Sequence, residues 1–309
     1  MGLISVRAMV VRFVLTITRW RWVRWLFTRT RVGRRVALRF VAGETLDEAV
    51  AATRRINTGG MSVSLDHLGE HVTDTAAAGA ARDAYLACLD RIAAEGLDAN
   101  ISVKLTQLGM GFDDALCVES LDALAARAAS AGLTVTIDME ESAHTATTLD
   151  LYRNAQRTHG NLGLAIQAYL RRTPDDLATL LPLGGHIRLC KGAYDEAEEI
   201  AFRSRDEVNA AYDRLLDTLM ATPSVKPAVA THDEERIAAA EDFSLVRTAP
   251  WEFQMLYGVR PSLQEKLVAD GYAIRVYVPY GDSWYPYLAR RIAERPRNVW
   301  FFFRALVGK

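Results

Sequence analysis

Thr134-Val135-Thr136-Ile137-Asp138-Met139-Glu140-Glu141 opens as a β-branched run, closes on acids, and is flanked by longer Ala- and Leu-rich sequence with a helical period. A short strand followed by an amphipathic helix is the unit of a parallel sheet with crossover connections. After Gly59-Gly60 that unit recurs. The strand runs read as Ser62–Leu65, Ile101–Leu105, Thr134–Asp138, Leu164–Gln167, Ile187–Leu189, Pro227–Ala230, Glu252–Leu256 and Ile274–Val278, with ends placed to within about 2–4 residues. Eight such repeats predict an α/β fold, a closed (β/α)8 barrel with an N-terminal helical segment. No Pro/Gly/Ser-rich break divides Met61 from Asn298. One catalytic barrel is therefore expected over residues 59–309, behind a basic helical segment at 1–58.

Unusual polar residues fall where the runs end. Lys104, Asp138, Gln167, Arg188, Lys191, Thr231, His232, Gln254 and Tyr277 all lie in or just after the C-terminal ends of strands, the end that carries the active site of such barrels. Lys104 interrupts a run that otherwise favours burial, and an ammonium there needs an anionic partner. A ligand carboxylate, a snorkelling side chain and a Schiff-base lysine remain open for it. In His186-Ile187-Arg188-Leu189-Cys190-Lys191-Gly192-Ala193-Tyr194, two cations precede a glycine that permits close backbone approach, a combination suited to an anionic cofactor. Tyr287, Arg290, Arg291 and Glu294 have the spacing of one helical face. Two adjacent guanidiniums can grip one carboxylate, or the four residues can form a solvated face. Tyr277, Tyr280, Trp284 and Tyr285 upstream favour a walled pocket.

The formal net charge of -1 hides an asymmetry, because ten arginines and no acid fall within residues 1–43. The remainder of the chain is acidic. In the arm, Arg19, Arg21, Arg24 and Arg29 alternate with Trp20, Trp22, Trp25 and Phe27, a mixture that suits an anionic bilayer surface. Arginines interrupt every apolar run, so the arm cannot span a membrane. Packing on the barrel is the other main reading, with a mitochondrial presequence behind both, and no nucleic-acid partner is expected. Cys88, Cys117 and Cys190 form no CxxC pair, which suggests a reducing compartment and no structural zinc.

Other familiar motifs fail on context. Gly109-Met110-Gly111 lacks the third glycine of a dinucleotide fingerprint. His67 and His71 stand four apart, but Gly69 and the preceding strand make a helix improbable there, so no metal site is expected.

Eight ordered motifs resemble those of proline dehydrogenases: Leu65-Asp66-His67-Leu68-Gly69-Glu70, Ser102-Val103-Lys104-Leu105, Asp138-Met139-Glu140-Glu141, Gln167-Ala168-Tyr169-Leu170, Arg188 to Tyr194, Ala230-Thr231-His232-Asp233, Phe253 to Gly258, and Tyr287 to Pro296. The likeness spans roughly Arg39 to Asn298, and the chain's length resembles that of the monofunctional bacterial enzymes. It implies a barrel with non-covalent FAD that passes hydride from proline C5 to flavin N5, gives Δ1-pyrroline-5-carboxylate, and hands electrons to a membrane quinone. The enzyme would then sit in the cytoplasm, peripheral on the inner face of the membrane.

The same resemblance implies residue roles. Lys104, Arg290 and Arg291 would bind the proline carboxylate, with Asp138, Tyr277, Leu256 and Tyr287 lining its pocket. Met139, Gln167, Arg188, Lys191, Gly192, Ala193, Thr231 and His232 would contact FAD, Arg188 near flavin N5. Glu70 and Arg290 would pair to close the site. Asp233 departs from the family's usual Asn, Cys190 replaces a common aliphatic residue, and Tyr277 resembles the proline-selective form. A Schiff-base aldolase using Lys104 or Lys191, and a membrane-associated scaffold, are the competing readings.

Overall fold

The computed structural model describes Thr30, Gly33 and residues 37–294, apart from the side chains of Arg290 and of residues 292–294. Most of the basic arm therefore lies outside the described residues. Eight parallel strands close into a barrel in sequence order: β1 (Ser62–His67), β2 (Ala99–Val103), β3 (Val135–Ile137), β4 (Leu162–Gln167), β5 (Gly185–Cys190), β6 (Val225–Ala230), β7 (Glu252–Leu256) and β8 (Ile274–Tyr280). Every expected strand is present. The ends differ where pairing decides them. β1 runs two residues past Leu65, because its pairing with β8 continues to His67 against Tyr280. β2 stops at Val103, so Lys104 is the first residue beyond the strand, ahead of a 3-10 turn at Leu105–Gln107.

Helices alternate with the strands: α1 (Leu46–Thr58), α2 (Thr75–Glu95), α3 (Asp114–Ser130), α4 (Ser142–His159), α5 (Thr173–Leu180), α6 (Arg205–Ala221), α7 (Glu234–Ser244), α8 (Pro261–Ala269) and α9 (Trp284–Glu294). Their starts are written in short polar side chains. Thr45 with Glu48, and Ser204 with Glu207, form reciprocal capping boxes on α1 and α6. Asp74, Asp113 and Asp233 cap α2, α3 and α7. Each satisfies backbone N–H groups that the first helical turn leaves unpaired.

Strand alternation separates two environments. Val63, Leu65, Ile101, Val103, Val135 and Ile137 belong to one apolar core with Tyr85, Leu89, Leu121 and Leu124 of α2 and α3. Burial of each such side chain contributes about 1.5–3 kcal/mol, so the outer face of the barrel holds the helices. The alternate positions are polar. Asn100 of β2 donates to Thr136 of β3 (3.1 Å) and accepts from Ser64 of β1, while Arg275 of β8 reaches Asn100 at 3.5 Å. Strands β8 and β2 are not neighbours, so that contact crosses the barrel interior. Such barrels usually fill this space with branched aliphatics; here it holds hydrogen-bonded polar groups.

The helix that opens the barrel also seals it. α1 packs on both β1 and β8. Its start is tied to the C-terminal end of β8, by Ala42 N–H to Pro279 O (2.9 Å) and Gly281 N–H to Gly43 O (3.0 Å). Its far end is tied to the entry of β1, where Asn57 Nδ2 donates to Met61 O (2.9 Å). It therefore fills the slot between the last strand and the first. The segment ahead of α1 packs closely: Gly258 has φ +68, and a Cβ there would lie 1.7 Å from Arg39 O. α9 brings Tyr287 and Arg291 to the cavity at the mouth.

Candidate active site

A chain of charged groups climbs the barrel interior. At its base Glu252 accepts from Arg275 Nε (2.7 Å) and Lys226 Nζ (2.7 Å), with His186 Nε2 3.3 Å away. Burial alone would raise the Glu252 carboxyl, but these neighbours hold it well below the usual carboxylate range. Gln254 then connects the levels, donating to Glu252 Oε1 (2.8 Å) and accepting from Arg188 Nε (2.6 Å). Arg188 Nη1 donates to Asp138 Oδ1 (2.5 Å) and to Ser102 Oγ (3.1 Å). On its other oxygen, Asp138 accepts from the Tyr277 hydroxyl (2.7 Å) and from Lys104 Nζ (3.3 Å). The chain ends where Lys104 Nζ meets both oxygens of Asp66, each at 3.2 Å.

These contacts fix protonation states. Burial opposes charge on Asp138, yet Lys104 and Arg188 outweigh it and lower its pKa. The same competition, won by Asp66 and Asp138, raises Lys104. Tyr277 is raised well above the usual phenol by burial and by Asp138. Cys190 is pushed up to about 11, chiefly by burial, so at neutral pH it is an inert thiol.

Above this chain lies a cavity of about 640 Å³. All nine strand-end polar residues named from the sequence line it, together with Met139, Gly192, Ala193, Leu256, Tyr287 and Arg291. Four cations (Lys104, Arg188, Lys191 and Arg291) face one carboxylate, Asp138, among the lining residues. Lys191 Nζ is engaged by Asp233 (2.5 Å) and Asn209 (2.6 Å). Asp233 thus caps α7 and anchors Lys191 at once, which is what its carboxylate does at the position where an asparagine was expected. The ring of His232 accepts the Leu256 N–H at Nε2 (3.1 Å), which assigns the proton of the neutral imidazole to Nδ1. Gln167 Nε2 donates to Glu140 O (2.9 Å). Gly192 has φ +121, and a Cβ there would fall 2.1 Å from the Tyr169 ring; only glycine brings the backbone this close to the cavity wall.

Of the expected closure pair, only Glu70 is described with its side chain. Glu70 lies in the loop between β1 and α2 but does not line the cavity. The Arg290 side chain, its expected partner, falls outside the described residues. The sequence reading also gave Asp66 and Glu252 no role, although they terminate the charged chain at its two ends. Asp66 sits in a run read as ending at Leu65, and nothing local pairs it with a lysine on the next strand. Glu140 is likewise structural: buried, with its pKa raised by that burial, it accepts from Thr106 N (3.0 Å) and Thr106 Oγ1 (2.5 Å).

The lining of the cavity suits an anionic ligand. Arg188 Nη2 is buried without a hydrogen-bond partner among the described residues, a costly state that an acceptor on a bound ligand would relieve. The volume lies within the range of cofactor and drug-sized sites.

Comparisons with known proteins agree with this architecture. A family model described as proline dehydrogenase matches residues 49–302. The chain is 37% identical over 283 residues to proline dehydrogenase 1 of Bacillus subtilis, covering 91% of this chain and 92% of that one. It is 35% identical over 280 residues to the proline dehydrogenase of Deinococcus radiodurans, covering 88% and 90%. Among solved structures, proline utilization A from Bdellovibrio bacteriovorus inactivated by N-propargylglycine aligns with a TM-score of 0.80 at 25% identity. That alignment covers 85% of this chain and 33% of the larger one.

Proposed function

From the premise that this chain belongs to the proline dehydrogenase family, we propose that it oxidises L-proline to Δ1-pyrroline-5-carboxylate with FAD. The observation that carries the reading is the cavity with four cations against one carboxylate, set in a chain whose body is acidic. Such a cavity selects anions, and both the carboxylate of proline and the diphosphate of FAD are anionic.

When bound, FAD supplies the two-electron acceptor. The rest of the work falls to side chains. Lys104, Arg290 and Arg291 would hold the proline carboxylate, with Tyr277, Tyr287 and Leu256 enclosing the ring. Met139, Gln167, Lys191, Gly192, Ala193, Thr231 and His232 would hold the cofactor. Arg188, fixed from both sides by Gln254 and Asp138, would present Nη2 to the flavin and stabilise negative charge that develops there. Cations around the substrate also favour loss of its ammonium proton, which frees the nitrogen lone pair to expel hydride. Among the lining groups with shifted pKa values, Asp138 is a weakened base, its pKa lowered by Lys104 and Arg188, and Tyr277 and Lys104 stay protonated. We assign the amine proton to solvent.

We further assign Glu70 and Arg290 to closure of the site over bound proline. The arm at residues 1–43 would bring the enzyme to an anionic membrane on its cytoplasmic face, where a quinone accepts the electrons. Among the described residues no helix is long and apolar enough to cross a membrane.

The deciding experiment is an anaerobic spectrum. Purified protein should show flavin absorbance, and L-proline should bleach it. A flavin that stays oxidised under proline overturns the assignment.

A further inference from the structure

His71, in the loop after β1, and Glu141 and His144, at the start of α4, bring three ligand atoms within 4.8 Å of one another. His71 Nε2 and Glu141 Oε1 are 3.4 Å apart. Tetrahedral zinc with bonds of about 2.0–2.2 Å sets adjacent ligand atoms about 3.4 Å apart. Glu141 is the N-cap of α4, and His144 follows three positions later, so both side chains share one face of its first turn. The third ligand is held in place from elsewhere. His71 has φ +53, a left-handed conformation that few residues other than glycine adopt, and its N–H donates to Thr106 Oγ1 (3.1 Å), itself bonded to Glu140. A second observation supports a cation at this place. The Oε2 atom of Glu141 is buried and has no hydrogen-bond partner among the described residues, although the side chain as a whole is 37% exposed, and the His71 side chain, 49% exposed, is open to an arriving ion.

We propose that His71, Glu141 and His144 form a binding site for a divalent transition-metal ion, with Zn2+ the best fit, that ties the β1–α2 loop to the start of α4. Two imidazoles and one carboxylate are a borderline donor set that leaves a fourth position to water. Mg2+ and Ca2+ prefer all-oxygen shells and are disfavoured. The tied loop also carries Glu70, the residue assigned above to closure. The metal therefore slows exchange of substrate and product, a consequence that rests on the proposed proline oxidation, whereas binding itself does not.

Chelator-treated holoenzyme, titrated with Zn2+ against a chromogenic chelator, should take up one equivalent per chain. His71→Ala, His144→Ala and Glu141→Gln should each weaken that uptake by at least about tenfold, with millimolar Mg2+ failing to compete. His71→Gly, which keeps the left-handed backbone, separates loss of the ligand from loss of the loop conformation and should weaken uptake as His71→Ala does. The site is overturned if the parent retains Zn2+ no more tightly than the His71→Ala/His144→Ala double variant. Zn2+ should slow turnover of the parent and leave His71→Gly unaffected; binding without slowing overturns the tether. If the holoenzyme does not oxidise proline at all, the functional reading fails, and the zinc stoichiometry still decides the site.

Discussion

The Lys104 ammonium lies 3.2 Å from each carboxylate oxygen of Asp66, and this pairing separates two chemistries that the sequence left open. A Schiff-base lysine must be deprotonated to attack a carbonyl, which requires a depressed pKa. Asp66 and Asp138 instead raise it against the effect of burial. Lys104 is a fixed cation, suited to holding a carboxylate and unsuited to aldolase chemistry.

Asp66→Asn should therefore weaken proline binding while flavin absorbance is retained. Both groups are buried, and leaving a buried donor poorly satisfied costs about 1–3 kcal/mol. Urea denaturation of the holoprotein should register a loss of that order. Unchanged stability and unchanged proline affinity together would show that Asp66 does not hold Lys104.

Arg291→Met should lose affinity for proline and for carboxylate-bearing inhibitors alike, by roughly tenfold to a hundredfold, the effect of removing one charge-assisted contact. Arg290→Met should behave in the same way if the two guanidiniums act as a pair. Stopped-flow flavin reduction at several proline concentrations separates binding from hydride transfer. Parent-like affinity in both variants would remove the carboxylate clamp.

The pH dependence of flavin reduction should show a single rising limb. Loss of the substrate's ammonium proton produces that rise, and Lys104, raised above the ordinary 10.5, stays charged throughout it. A falling limb between about pH 8 and pH 10, near ordinary lysine values, would mean that Lys104 or a comparable group titrates in the cavity.

At the base of the barrel the sign is that of a carboxylate. The folded-state pKa of Glu252 lies well below 4.5, so its stabilising contribution is full above 4.5 and is lost as pH falls through the folded value. Glu252→Gln should lower Tm markedly at about pH 7, and the difference between parent and variant should shrink at about pH 3. A gap that stays constant with pH would remove the charge from the explanation.

Liposome co-sedimentation tests the arm. Full-length protein should bind anionic vesicles more than a chain beginning at Glu44, and added salt should reduce the difference by screening. Equal binding by the two would make the arm structural.

Much of this could be read in the sequence, for a definable reason. Strand ends are local signals, so the polar residues that close each run, Lys104, Asp138, Arg188 and Tyr277 among them, could be assigned to one mouth before any distance was known, and they line one cavity. Pairings across the barrel leave no local trace. Nothing near Glu252 in the chain announces Arg275 or Lys226, and nothing near Asp66 announces Lys104. The context of His67 and His71 argued against a pair despite their spacing, and the structure sends them apart. His67 packs against Tyr85 and Tyr280, while His71 reaches Glu141. The place of α1 was hidden too, since a capped amphipathic helix does not state which groove it fills.

The seam between β8 and β1, covered by α1, carries a consequence for biosynthesis. β1 is among the first strands to leave the ribosome, and its partner, Ile274–Tyr280, is the last. Until β8 arrives, the growing sheet is an open arc with two bare edges, able to pair with another nascent chain. The contact from Arg275 Nη1 to Val63 O spans 212 residues, a long loop that must close before the ring is complete. Maturation of this enzyme is therefore a race between docking of its final strand and edge-to-edge association, and slow translation through residues 252–280 lengthens the exposed interval.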